Sequence, residues 1–151
     1  MQSRKERAVG KFLEGYNCAQ SVVVAFCEDL GIEEDLALKI ACGFGGGMGG
    51  QGEVCGALSG AIMVIGAKYG RGNGDDKAKK GITYGKTREL MERFSAKHGT
   101  YICRQLLGGC DLTTGQGQGL FKEQDLLIKT CRACVEDAVG ILEEILQDPG
   151  Q

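Results

Sequence analysis

The sequence predicts an all-α fold, a single-domain bundle of about six to seven helices with a glycine-rich loop. Three observations predict it. No segment alternates apolar and polar residues for long enough to argue a strand, whereas apolar residues recur at helical spacing in successive stretches. Glycine, present 26 times against a single proline, falls at the ends of those stretches and reads as punctuation. At 151 residues the chain is large enough for one domain, spanning 1–151, with a core that needs no disulfide staples.

The first helix covers residues 3–14, with Ala8, Phe12 and Leu13 as its apolar stripe and Gly15 at its end. Asn17 is a strong N-cap. Ala19, Val22, Val23, Phe26, Cys27 and Leu30 then repeat on one face until Gly31 stops the second helix. A third helix, 33–41, has Glu33, Glu34 and Asp35 at its start, where the helix dipole favours acid, and Leu36 and Ile40 as its apolar pair. It runs into the glycine-rich loop from Gly43 to Gly52.

Cys55 opens a fourth helix in which Gly56 with Gly60, and Ala57 with Ala61, form small-xxx-small pairs that permit close backbone contact. Gly70, Gly72 and Gly74 close it. A long amphipathic helix follows over about 75–97, with Thr83, Thr87, Leu90, Met91 and Phe94 on its apolar side. Thr100 then caps a short helix over 101–107, with Cys103 in its first turn. The segment from Gly108 to Gly119 reads as a mobile surface loop. A last helix over about 122–146 carries Leu127, Cys131, Cys134, Val135, Ala138, Ile141, Leu142 and Ile145 on one face.

The net charge of −2 gives no footprint for nucleic acid. The start of the chain is charged from Arg4 onward and reads as no signal peptide, and the longest weakly polar stretch, 54–67, is too short for a membrane span. The expected protein is soluble and cytoplasmic, without nucleic-acid or membrane partners. Eight cysteines in a reducing compartment are thiols, metal ligands or redox groups rather than structural bridges.

Cys18, Cys55 and Cys103 each fall at a predicted helix start. Unpaired N–H groups and the positive end of the dipole favour a thiolate there, so these sulfurs are expected to be more acidic than a free cysteine. Cys131 faces the core from the last helix, and packing of the four elements can bring the four sulfurs together. Cys27 and Cys42 read more simply as small buried apolar residues. Cys110 is equally well an incidental exposed thiol.

Other motifs carry less. Cys131-Arg132-Ala133-Cys134 is a CxxC inside a helix, with no partner pair at zinc-finger spacing, and Val135 excludes the CxxCH attachment of c-type haem. His98, the only histidine, fits a structural role at a helix end. The run from Gly45 to Gly50 matches GxGxxG but follows a helix instead of a strand, which argues against a dinucleotide site. A better use of Gly45, Gly46 and Gly47, together with Gly56, is to aim backbone N–H groups at an anionic cluster or at a thiolate on Cys55.

The segment Cys55-Gly56-Ala57-Leu58-Ser59-Gly60 carries a CGAxxG signature. With Asn17-Cys18-Ala19-Gln20, the glycine loop, Phe94 with Gly99, the run from Cys103 to Gly108 and Cys131, the chain resembles a family of redox-active proteins defined by that motif and four widely spaced cysteines. The match covers roughly 15–138, and the family's four cysteines correspond to Cys18, Cys55, Cys103 and Cys131. The family is similar to the non-haem part of split-Soret cytochromes, which implies electron transfer and an iron–sulfur cluster held by cysteines. Cys27, Cys42, Cys110 and Cys134 lie outside the four.

The leading expectation is therefore electron transfer through a centre bound by Cys18, Cys55, Cys103 and Cys131, with a protein partner whose identity is open. The alternatives are a metal-free thiol–disulfide protein, pairing Cys55 with Cys18 or Cys103, and a structural zinc protein. The small face of Gly56, Gly60 and Ala61 could pack within the monomer or across a homodimer.

Overall fold

Strong caps at Ser3 and Asn17 set where the first two helices begin in the structure, a computed structural model that describes residues 1–147. Helix α1, Arg4–Leu13, starts in a capping box between Ser3 and Glu6, and helix α2, Cys18–Leu30, in one between Asn17 and Gln20. Gly31 ends α2 at φ 66°, a conformation that glycine adopts without steric cost. Helix α3, Glu34–Ala41, is capped by the Glu33 carboxylate and tightens into a 3₁₀ turn, Cys42–Phe44. Its buried face differs from the expected one. Ala37 and Ala41 face inward, while Leu36 and Ile40 are 53% and 58% exposed.

Helix α4, Gly56–Tyr69, and helix α5, Ala78–His98, follow, the second ending at Gly99 with φ 84°. Helix α6, Cys103–Leu106, is a single turn with Ile102 as its N-cap residue; Thr100 instead accepts a hydrogen bond from the Ile102 amide through its hydroxyl. The expected loop over 108–119 is partly helical. Helix α7, Gly115–Glu123, begins there because the Thr114 hydroxyl accepts from the Gly117 amide. Gly117 also lies so close to the Asp111 carbonyl that no side chain fits between them.

The expected continuous last helix is broken as well. Asp125 takes φ 54°, a π-helical turn spans Leu127–Cys131, and helix α8, Arg132–Gln147, continues from it. Among the described residues there are thus eight α-helices rather than six or seven, and no strand, only an isolated antiparallel bridge between Val54 and Ile102. The all-α class stands.

Helix α2 packs against α1, α3, α4 and α8, and α4 in turn against α5 and α8. Phe26, Leu58, Ile65, Leu90, Phe94, Leu142 and Ile145 are fully buried where these helices meet, each contributing roughly 1.5–3 kcal/mol of apolar burial. The small-residue face of α4 is used within the chain. A Cβ on Gly60 would stand 2.6 Å from the Ala19 carbonyl oxygen, and one on Gly56 3.3 Å from Cys18 Cβ, so α2 and α4 approach closely at the end that carries both cysteines. A second, smaller apolar cluster gathers Cys103, Leu107 and Cys110 with Leu112, Phe121, Leu126 and Cys131. Among the described residues no helix is long and apolar enough to cross a membrane.

Candidate functional site

Backbone pairing brings the first two cysteine-bearing segments together. The Cys55 amide donates to the Tyr101 carbonyl at 2.9 Å, and the Cys103 amide to the Glu53 carbonyl at 2.6 Å. These bonds flank the Val54–Ile102 bridge and fix Cys55, the N-cap residue of α4, beside Cys103 at the start of α6. The close packing of α2 on α4 supplies Cys18, and the π turn running into α8 supplies Cys131 and Cys134.

The result is one cavity of about 230 Å³ lined by five cysteines, Cys18, Cys55, Cys103, Cys131 and Cys134. Its remaining walls include Phe12, Leu106, Leu112 and Phe121, and no charged side chain lines it among the described residues. The four cysteines expected from the sequence are thus brought together. Cys134, outside those four, joins them. It stands three residues after Cys131, so the two share a helical face, and that spacing was the signal available in the sequence.

The other cysteines do not join the site. Cys27 is buried and donates to the Val23 carbonyl, as expected of a small core residue. Cys42 is exposed, contrary to expectation, because the turn after α3 carries it outward. Cys110 is buried rather than exposed, with its thiol 2.9 Å from the Gly117 carbonyl.

The glycine loop closes one side of the cavity. Gly46, Gly47, Met48, Gly49 and Gly50 all have φ between 60° and 76°, a short left-handed turn that only a glycine-rich segment can make at low cost. Amides from Met48 to Glu53 donate back into the loop, whereas those of Gly46 and Gly47 have no acceptor among the described residues. Gly46, Gly47 and Gly56 line the cavity. Gly45 does not; it lies against Asn17, where a Cβ would stand 2.5 Å from Nδ2.

Two thiol neighbours weigh on ionisation in the cavity, Cys131 beside Cys18 and Cys134 beside Cys55. Cys55 alone behaves as its position at a helix start predicts. The Cys134 thiol holds its pKa below the ordinary thiol value, with help from the amides of Ala57 and Leu58 and against the effect of burial. The other two expected acidic thiols are the reverse. Cys18 is raised by Cys131 and by burial. Burial, followed by the neighbouring Cys55, pushes Cys103 up to about 12, and the single turn of α6 does not offset that. Cys134 is raised by Cys55 and by burial.

Among the described residues no group of three or more His, Cys, Asp and Glu side chains is arranged to hold a metal ion. A tetrahedral zinc with Zn–S bonds of about 2.3 Å needs its sulfurs drawn around one point. These thiols are spread instead along the walls of a cavity.

Fold and cavity together define a small all-α protein with clustered cysteine thiols. Residues 16–145 match the model of the family described as "Putative redox-active protein (C_GCAxxG_C_C)", and the chain belongs to that family. The chain is also 28% identical over 154 residues to a protein of Archaeoglobus fulgidus bearing the name "Uncharacterized protein", with 97% of this chain and 95% of the relative covered. No solved structure matches it.

Proposed function

We propose that the chain transfers electrons through an iron–sulfur cluster held in the cavity by Cys18, Cys55, Cys103 and Cys131. The observation that carries this reading is the five thiols lining one cavity without a charged side chain among the described residues. Soft sulfur donors without a histidine suit iron–sulfur ligation, and a cluster, unlike a single ion, occupies space between its ligands. The free amides of Gly46 and Gly47 at the cavity wall suit an anionic group, as do the apolar walls that keep water away from it. Such a cluster would supply one-electron chemistry, and a second protein would deliver or take the electron. Eight cysteines without a disulfide suit a reducing compartment such as the cytoplasm.

The test is an absorption spectrum with iron, zinc and sulfide analysis on protein purified without oxygen. Iron and sulfide in stoichiometric amount, with visible absorption that bleaches on reduction, are expected. Protein that stays colourless and iron-free after reconstitution would overturn the reading.

A second reading, a metal-free thiol–disulfide protein, is favoured by five free thiols lining one cavity. Cys55 shares the cavity with Cys18 and Cys103, the partners expected from the sequence, and also with Cys134.

A further inference from the structure

We infer that residues 110–125 form a lid over the cavity, which swings on Gly108 and Gly109 at one end and on Asp125 at the other and controls access to the thiols beneath. The inference concerns access alone, so it holds for either reading of the cavity's chemistry.

The segment is built as a separate unit. Among the described residues, every hydrogen bond made by residues 111–124 ends within 110–125. The Cys110 thiol donates to the Gly117 carbonyl at 2.9 Å, the Gly117 amide donates to the Thr114 hydroxyl, and Gln118 Nε2 donates to the Leu112 carbonyl. Helix α7 is thereby tied to its own approach. The ion pair that joins the segment to the rest of the chain, Arg104 with Asp111, is 3.7 Å long and open to water on both sides, a kind that adds little stability. No other helix packs extensively on α7.

Apolar contact closes the lid. Cys110, Leu112 and Phe121 gather against Cys103, Leu107 and Cys131. A Cβ on Gly46 would stand 3.6 Å from Leu112 Cδ1, so the closed edge rests on the glycine loop. Leu112 and Phe121 form part of the cavity wall, and Cys103, which lines the same cavity, is held to 8% exposure. Both ends of the segment have left-handed backbone, φ 69° and 91° at Gly108 and Gly109 and φ 54° at Asp125. Rotation at the two glycines meets little resistance, because a Cβ added to either would find nothing within 4 Å. A unit with internal hydrogen bonds and few ties to the core opens at less cost than global unfolding. Opening lifts Leu112 and Phe121 off Cys103 and leaves the core helices intact.

The experiment labels the reduced, metal-free full-length chain with iodoacetamide at fixed pH and follows each cysteine by peptide mapping with tandem mass spectrometry. Two cysteines outside the cavity bracket the scale. Cys42 is exposed, and Cys27, in the main core at 4% exposure, reports global unfolding. Cys103 is expected between them, at least about tenfold faster than Cys27 and slower than Cys42. Gly109→Ala adds no contact but disfavours the closed backbone, so it should speed Cys103 by roughly tenfold relative to Cys27. Labelling of Cys103 at the rate of Cys27 would overturn the inference, because the segment then opens only with the whole fold. Labelling at the rate of Cys42 would overturn it too, because the thiol is then reached without a lid. So would a Gly109→Ala ratio equal to that of the wild type; should the variant not fold, the wild-type order of the three cysteines decides alone. Iron and sulfide content, which tests the cluster reading, is measured on separate protein and does not depend on any of these outcomes.

Discussion

Gly47 lies directly against Cys103: a Cβ added to the glycine would stand 2.7 Å from Cys103 Cβ and 2.6 Å from the Glu53 amide nitrogen. The wall of the cavity and one of its thiols are therefore in backbone-to-side-chain contact, and the absence of a side chain at residue 47 sets the position of Cys103. Gly47→Ala should lose about 1–2 kcal/mol to its left-handed backbone, and overpacking of this kind costs a further 1–3 kcal/mol or so. Gly49→Ala is the control. Its φ is 60° but nothing lies within 4 Å of an added Cβ, so it should show the backbone cost alone. Urea denaturation of the two variants measures the difference, and equal losses would mean that the Cys103 contact is unimportant.

Burial raises Cys103 from the ordinary thiol value of 9.0 to about 12, which makes stability depend on alkaline pH. The unfolded chain gives up this proton near 9.0 while the folded chain keeps it to about 12. Between those values the unfolded state binds fewer protons, so stability falls as pH rises. Reduced, metal-free protein should lose urea resistance across that window, and Cys103→Ser should lose less. Parallel curves for the two proteins would show that Cys103 is not the group responsible.

Cys55 shifts the other way, with the Cys134 thiol as the main cause. Among the cavity thiols it should be the first alkylated by iodoacetamide as pH rises toward the ordinary thiol range, because the thiolate is the reacting form. Cys134→Ala should move the Cys55 midpoint upward, since it removes that thiol. Peptide mapping of alkylation against pH reads both effects, and a midpoint at or above the ordinary thiol value would contradict the assignment.

Much of this arrangement is legible in the sequence, and the exceptions have identifiable causes. Asn17 and Gly31 bracket α2 by cap chemistry that is local, so its limits can be read directly. Cys18, Cys55 and Cys103 stand out because each follows a helix-start signal. Cap logic does not, however, report burial, and burial reverses the expected acidity of Cys18 and Cys103. Helix α7 is hidden because its glycines resemble a loop; the close approach of Gly117 to Asp111 that accommodates one of them is a tertiary contact. The π turn before α8 follows a left-handed Asp125, which no periodicity announces. Leu36 and Ile40 suggested the buried face of α3, but the tight packing of α3 on α2 selects the smaller Ala37 and Ala41.

Asn17 joins the cap of α2 to the turn that leads into the glycine loop. Its Oδ1 accepts from the Gln20 amide, and its Nδ2 donates to the Cys42 carbonyl at 2.8 Å. Asn17→Ala should cost about 0.5–2 kcal/mol for the cap and release the turn before the loop. Asn17→Asp keeps the cap acceptor and removes only the donor. If the contact with Cys42 positions the loop, Asn17→Asp should alter the reactivity of Cys18 and Cys55 while most of the stability remains. Thermal unfolding together with thiol alkylation separates the two roles, and unchanged reactivity in Asn17→Asp would confine Asn17 to capping.

Serine substitution one cysteine at a time decides which thiols would hold an iron–sulfur centre, because the cavity offers five for four positions. Cys55 is fixed by the backbone bond to Tyr101 and by the start of α4, so Cys55→Ser should reduce bound iron and sulfide to background. The family pattern makes Cys103 a ligand and leaves Cys134 out, which predicts loss of the centre in Cys103→Ser and its retention in Cys134→Ser. The mutual influence of the thiols suggests a different set. Cys131 acts most strongly on Cys18 and Cys134 on Cys55, whereas burial dominates at Cys103. Iron retained in Cys103→Ser and lost in Cys134→Ser would assign the ligands to Cys18, Cys55, Cys131 and Cys134 and give Cys103 the lesser role of packing against Gly47. Circular dichroism on each variant separates loss of ligand from loss of fold.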